Sequence, residues 1–166
     1  MSIESLDSLV ASDFKHAALV CGSFDPLHDG HVSLLSQTSQ MIKADDGVLI
    51  CGVAPDSYIV NSKHRPAFMS QWIRLHVVEA IRFVDYAFLM SDDVDTEALR
   101  KLRPRWYMKG LDWKSRLPSP EEDVLATLKE TSLHFVVTNS TRSSHILQAW
   151  DINASPCRRG DSFRGL

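Results

Sequence analysis

Val20-Cys21-Gly22-Ser23-Phe24-Asp25-Pro26-Leu27-His28-Asp29-Gly30-His31 is the segment from which the rest of the chain can be ordered. It closes a short apolar run, Ala17 to Val20, and opens an amphipathic one, so two imidazoles and a glycine-containing turn fall where a strand hands over to a helix. The first turn of a helix has unpaired backbone N–H groups and a partial positive charge. Histidines beside it add side-chain donors, and the junction therefore reads as a phosphate site. Gly30 lets a phosphate group approach the backbone closely, and Ser23 and Phe24 offer backbone contacts ahead of the turn. The other use of a histidine pair is zinc ligation. No third ligand stands at a supporting spacing, and a Gly-Ser-Phe-Asp-Pro prefix has no part in a zinc site. Asp25 has two readings: holding the turn by Asx-type hydrogen bonds, or helping to position Mg²⁺ or a phosphate.

Outward from this junction, five apolar runs rich in β-branched and aromatic residues read as strands: Ala17–Cys21, Val48–Val53, Tyr86–Met90, Trp106–Lys109 and His134–Thr138. Helical spacing lies between them. Val32, Leu34, Leu35, Thr38, Met41 and Ile42 form one stripe, and Trp72, Ile73, Leu75, His76, Val77, Ile81 and Phe83 form another. Thr96–Leu102 and Glu121–Glu130 are shorter helices. Alternating strands and helices predict an α/β fold, a doubly wound five-stranded parallel sheet of Rossmann-like form, with ligands at the carboxyl ends of the strands near the switch point. One domain over residues 14–150 is expected, with 1–13 and 151–166 as flexible or peripheral ends.

The bulk numbers bound the partners. A length of 166 residues with 44% apolar content suits one core. A formal charge of −3 and a pI near 6.1 give no general polyanion surface, so no nucleic-acid partner is expected and phosphate recognition must be local. Cys21, Cys51 and Cys157 form an odd set without a Cys-x-x-Cys pair, as in reduced thiols, and Cys21 and Cys51 read as small buried hydrophobes. No apolar stretch approaches the ~20 residues that span a bilayer, and Met1 to Lys15 carries acids without a basic leader. A cytoplasmic protein without a membrane partner is expected.

Gly22, Phe24, Asp25, His28, Gly30 and His31 match every fixed position of the GxFDxxHxGH signature, so the segment resembles the cytidylyltransferase-like nucleotidyltransferases. The resemblance extends through most of Ala17–Leu147. Ile81-Arg82-Phe83-Val84-Asp85 resembles the Ile-Arg-Tyr-Val-Asp helix end of glycerol-3-phosphate cytidylyltransferases, which implies that Arg82 binds nucleotide phosphate; the alternative is an arginine serving a helix C-terminus. Lys109-Gly110-Leu111-Asp112-Trp113 resembles the strand-end segment that lies by the base and ribose. Lys109 leans toward the Lys-Gly-Gly-Asp-Tyr of heptose-phosphate adenylyltransferases and Trp113 toward the Gly-Asp-Asp-Trp of the cytidylyltransferases. Ser143 and Ser144 match the two threonines of the family's Ile-Ser-Thr-Thr-x-Ile, whose hydroxyls and helix N-terminus grip the terminal phosphates. The family's upstream arginine is absent, with Val137 and Thr138 continuing the strand, and Arg142 is the candidate substitute. Lys63, in the basic turn from Asn61 to Pro66, stands where the family has a phosphate-binding lysine.

The resemblance implies a catalytic set of His28, His31 and Lys63. The nucleotide would be held by Gly22, Ser23, Phe24, Asp25, Gly30, Arg82, Lys109, Gly110, Asp112, Trp113, Arg142, Ser143 and Ser144. The implied reaction joins a nucleoside monophosphate from CTP or ATP to a small phosphomonoester and releases pyrophosphate, with Mg²⁺ carried on the triphosphate. CTP is the expected base, from Asp112-Trp113 and Ile81–Asp85, and a homodimer is left open. The competing readings are a heptose-phosphate adenylyltransferase-like enzyme and a non-catalytic nucleotide sensor.

Overall fold

The computed structural model describes residues 6, 7, 9, 16–91, 95–138 and 143–153, the last three by backbone alone. Five parallel strands, β1 (Ala17–Gly22), β2 (Val48–Val53), β3 (Tyr86–Leu89), β4 (Trp106–Gly110) and β5 (Ser132–Val136), lie in the order β3-β2-β1-β4-β5. The helices are α1 (Asp29–Ile42), α2 (Asp56–Lys63), α3 (Gln71–Glu79), α4 (Thr96–Leu102), α5 (Ser119–Thr127) and α6 (Ser143–Asn153). After β1 the chain builds outward through β2 and β3, then crosses back to place β4 on the other side of β1. The crossovers on the two sides diverge between β1 and β4, and a crevice opens there at the carboxyl ends of the strands.

The strands are near-continuous apolar runs because both faces are covered. Ala18 and Val20 of β1, with Trp106 and Met108 of β4, face Leu34 and Leu35 of α1 and Leu75 and Val78 of α3. Their neighbours Ala17, Leu19 and Tyr107 face Leu99 and Leu102 of α4 and Val124 of α5. Leu19, Leu35 and Leu99 are completely buried. Truncating any of them to alanine removes about 2–5 kcal/mol of stability. Among the described residues, no helix is long and apolar enough to cross a membrane.

The doubly wound parallel sheet is as the sequence pattern indicates; several details differ. β5 lies two residues earlier than expected, and Val137, expected to continue the strand, is 69% exposed beyond its end. The segment read as a basic turn from Asn61 to Pro66 contains the end of α2, a helix the periodicity missed because it buries only Ile59. In α3 the side chains facing the core are Arg74, Leu75 and Val78, whereas Trp72 and Ile73 are exposed. α5 runs from Ser119 rather than Glu121. The expected peripheral N-terminus contributes Leu9 to the α4–α5 core, and α6 continues past residue 150 to Asn153. Cys51 is buried as expected, while Cys21, at the carboxyl end of β1, is half-buried.

Candidate functional site

The turn after β1 is shaped by Phe24, whose φ of 49° lies in the left-handed region. A bulky residue there costs about 1–2 kcal/mol, offset by burial of the ring to 1% exposure. Gly22 makes this possible, since a Cβ at that position would meet the Phe24 ring at 3.2 Å. The buried ring in turn supports His31, with centroids 4.9 Å apart. His28 caps α1: its carbonyl accepts from the N–H of His31 at 3.0 Å and of Val32 at 3.2 Å, and its Nδ1 also accepts from the N–H of His31 at 3.4 Å. The two imidazoles stack with centroids 3.7 Å apart.

This geometry fixes the protons. An Nδ1 that accepts is unprotonated, so neutral His28 carries its proton on Nε2. His31 Nδ1 is buried with no hydrogen-bond partner. Burying an orphaned N–H is worse than burying an unpaired acceptor, so His31 is also the Nε2–H tautomer. Burial, then the neighbouring His28 and Lys63, lowers His31 to about 3, and burial and Lys63 lower His28 from its usual range against the opposing pull of Asp29. The pair is neutral, and each ring has one N–H to donate. Gly30 is buried in the first turn, and its N–H is held by the Asp29 carboxylate at 2.9 Å.

Lys63 ends α2, and the left-handed His64 after it turns the chain back toward β1. Much of the lysine is exposed, yet its ammonium donates to Ser23 Oγ at 2.5 Å, and among the described residues no carboxylate pairs with it. Burial of the ammonium and the nearby Arg65 lower its pKa. Asp25 is not directed at a ligand. It is completely buried, with Oδ2 accepting from Arg65 Nη1 at 2.6 Å and Phe68 N–H at 3.0 Å, and Oδ1 from Met69 N–H at 2.8 Å. It clamps the turn to the α2–α3 loop by long-range bonds, a structural role as in the first of its two readings but without the Asx-type turn of that reading. Arg74, the largest fully buried side chain among the described residues, completes the clamp: it donates to the carbonyls of Met69, Ser23 and Ala54 and to Asp56 Oδ1, at 2.6–3.0 Å. The clamp residues Arg65 and Arg74 were not among the expected site residues. A fully buried arginine on an amphipathic helix is the signal that could have marked the second.

α6 starts at this same turn. Ser143 Oγ donates to the Pro26 carbonyl at 2.9 Å, so the N-terminus of α6 stands beside that of α1, while Ser144 is exposed in the first turn. Across the crevice, Gly110 ends β4 and a short 3₁₀ turn carries Asp112 and Trp113. Asp112 is exposed and pairs with Arg116 at 2.8 Å; Trp113 is half-buried. Lys109 is only 5% exposed and its ammonium is bound to Asp95 Oδ2 at 2.8 Å and Glu121 Oε2 at 3.1 Å, an arrangement that leaves it no room as a direct nucleotide ligand. Arg82 is exposed on the turn before β3, at the amino end of the sheet, and stacks over Phe83 at 5.2 Å. The chain does not bring it to the crevice. Arg142 lies outside the described residues. Among the described residues no group of three or more His, Cys, Asp or Glu is placed to hold a metal ion.

Comparisons with known proteins bear on the family and the fold. A cytidylyltransferase-like family model matches residues 19–154. An FAD synthase from Korarchaeum cryptofilum is 33% identical over 94 residues, which are 57% of this chain and 63% of that protein. The bifunctional protein HldE from Campylobacter concisus is 29% identical over 118 residues, 69% of this chain and 24% of the relative. The chain thus spans less than two thirds of the FAD synthase and about a quarter of HldE. In fold, it is similar to the lipopolysaccharide core biosynthesis protein from Thermoplasma volcanium, with a TM-score of 0.62 at 20% identity over 75% of this chain and 98% of that one.

Proposed function

Since this chain belongs to the cytidylyltransferase-like family of nucleotidyltransferases, we propose that it transfers a nucleoside monophosphate from a nucleoside triphosphate to a small phosphomonoester in the crevice between β1 and β4. The observation that carries the reading is the convergence of the His28–His31 pair, the Lys63 ammonium and the N-termini of α1 and α6 at one turn. These are donors and a cation that, among the described residues, has no carboxylate paired with it, which suit a triphosphate.

A phosphate oxygen of the acceptor attacks the α-phosphorus, the bond from that phosphorus to the bridging oxygen of the β-phosphate breaks, and pyrophosphate leaves with the electron pair. A phosphate dianion is already a nucleophile, so no residue acts as general base and no covalent enzyme intermediate forms. Charge accumulates on the α-phosphoryl oxygens and the leaving group. The Nε2–H groups of His28 and His31 donate to that charge, Lys63 neutralises part of it, and Ser143 with the first turn of α6 holds the departing phosphates. Gly110, Asp112 and Trp113 form the wall beside base and ribose. Mg²⁺ would be carried on the triphosphate and would help to neutralise it; Asp25 has both oxygens occupied by protein donors, and Asp29 Oδ1 accepts from the Gly30 N–H.

Adenylyl transfer is the better-supported choice of nucleotide. An FAD synthase and an HldE are among the relatives, and Lys109-Gly110 at the end of β4 resembles the adenylyltransferase branch, while Asp112-Trp113 keeps its resemblance to the cytidylyltransferases. The Ile81–Asp85 resemblance that pointed to CTP lies at the amino end of β3, where it bears on no base. The test is pyrophosphate release measured over four nucleoside triphosphates and a panel of acceptors, FMN and the phosphates of heptose, glycerol and ethanolamine among them. ATP with one acceptor should exceed the other combinations by a wide margin, since a base that leaves buried polar groups unpaired is strongly rejected. A preference for CTP returns the chain to the cytidylyl reading, and no release with any pair refutes nucleotidyl transfer to a phosphomonoester.

A further inference from the structure

Lys109 stands in β4 between residues of a near-continuous apolar run, and the structure explains its presence by four segments that meet at one ammonium. Asp95 precedes α4, Glu121 lies in α5, Tyr107 is two residues earlier on the same strand, and Trp113 is in the turn that follows. Lys109 Nζ contacts Asp95 and Glu121 at 2.8 and 3.1 Å, the Tyr107 hydroxyl lies within hydrogen-bonding distance of both carboxylates with one proton to donate between them, and all four of these residues are buried. The same ammonium lies 4.8 Å from the centroid of the Trp113 ring, which Arg116 also faces at 5.4 Å. Arg116 returns to the turn through Asp112, donating to its carbonyl at 3.0 Å and its carboxylate at 2.8 Å. A Cβ at Gly110 would sit 2.7 Å from Asp112 Oδ1, so the turn is folded tightly against the strand end.

A charge buried this way and shared between two carboxylates is turned away from any ligand in the crevice, yet its attraction to an aromatic face holds that face in place. We propose that Lys109 is a positioning residue: anchored by Asp95, Glu121 and Tyr107, it holds Trp113 as the nucleoside-facing wall of the crevice, opposite the His28–His31 pair. The proposal rests on the nucleotide reading given above and adds a division of labour to it. The β1 side binds phosphates and the β4 side orients the nucleoside. Burial opposes the lysine's charge, but Asp95 and Glu121 outweigh it and raise its pKa, so the anchor stays charged throughout the working pH range.

Calorimetric titration with MgATP, MgCTP and inorganic tripolyphosphate separates the two sides, because tripolyphosphate has no nucleoside. The variant is Lys109→Met with Asp95→Asn, which removes one cation and one anion together and leaves Glu121, whose pKa burial raises and which also loses the lysine that lowered it, able to take up a proton. The better-bound nucleotide should lose tenfold or more in affinity while tripolyphosphate changes less than twofold. Trp113→Leu should give the same split, and combining it with the double variant should add less than twofold. An equal loss on tripolyphosphate, or no loss on nucleotide, overturns the positioning role. If the double variant does not fold, Lys109→Arg, which keeps the charge but moves it relative to the ring, is read by the same split and the same contrary results. The nucleotide reading fails separately: the wild type would then bind neither nucleotide, or His28→Ala would leave tripolyphosphate binding unchanged.

Discussion

Two lysines flank the crevice, one on each side, and their charges are handled in opposite ways. Lys63 extends from the end of α2 to a serine hydroxyl, with cationic Arg65 nearby and no carboxylate paired with it among the described residues. Lys109 is enclosed by Asp95 and Glu121 under the α4–α5 face of the sheet. The resemblance alone treats both alike, as lysines at motif positions. An ammonium held by a hydroxyl and an aromatic face, with no carboxylate on it, is ready for an anion, whereas one paired with two buried carboxylates is part of the scaffold. The carboxylates divide in the same way: Asp25 sits inside the signature motif, yet its oxygens are committed to Arg65 and two backbone N–H groups.

The sharpest way to break this comparison is Asp25→Ala. It strands the half-buried Arg65 guanidinium and two amides, so it should lower stability by about 3–5 kcal/mol, measured by chemical denaturation. A normally stable variant with a raised KM for nucleotide would make Asp25 a ligand after all. His28→Ala and His31→Ala should each stay folded and lose two or more orders of magnitude in turnover, about 2.7–4 kcal/mol for a lost transition-state donor; near wild-type kcat in either would remove the pair from the chemistry. Lys63→Ala should lower kcat/KM by roughly 10- to 100-fold, the range of a charge-assisted hydrogen bond worth about 1.5–3 kcal/mol, with little change in Tm. A large loss of Tm with intact kinetics would reassign Lys63 to the scaffold. Smallest is Arg82→Ala: an exposed arginine at the far end of the sheet should alter stability by less than about 0.5 kcal/mol and leave the KM for nucleotide unchanged. A raised KM would restore the ligand role that the resemblance implied.

Much of the fold was legible because buried parallel strands announce themselves as apolar runs, and the helix-start motif at His28–His31 needs only local sequence to recognise. α2 escaped because a helix that buries only Ile59 has almost no stripe. The displacement of β5 follows from Val137 and Thr138, which read as strand by composition although the ladder with β4 ends at Val136. The site was legible where it is local and illegible where it is long-range. Nothing near Asp25 announces that Arg65, Phe68 and Met69 will consume its oxygens. Lys109 did carry a readable warning, since a lysine inside an apolar strand demands buried partners. Their identity, Asp95 and Glu121, depends on how α4 and α5 dock.

The neutral histidine pair also sets a stability profile. Both imidazoles have pKa values below the unfolded value of 6.5, His31 near 3, so the unfolded chain binds protons first as the pH falls. Their contribution to stability is complete above about pH 6.5 and is lost progressively toward pH 3. Tm should fall over that window, less so in His31→Asn.

The most direct measurement is the side-chain ¹H–¹⁵N NMR of the imidazoles, assigned with the His28→Ala and His31→Ala variants, during titration with the magnesium complex of ATP. Without ligand, both rings should be neutral Nε2–H tautomers at pH 7. On saturation their resonances should shift and their pKa values rise as triphosphate oxygens take up the two N–H groups. Tight nucleotide binding that leaves both imidazoles at their ligand-free shifts and pKa values would contradict the assignment of the phosphates to this turn.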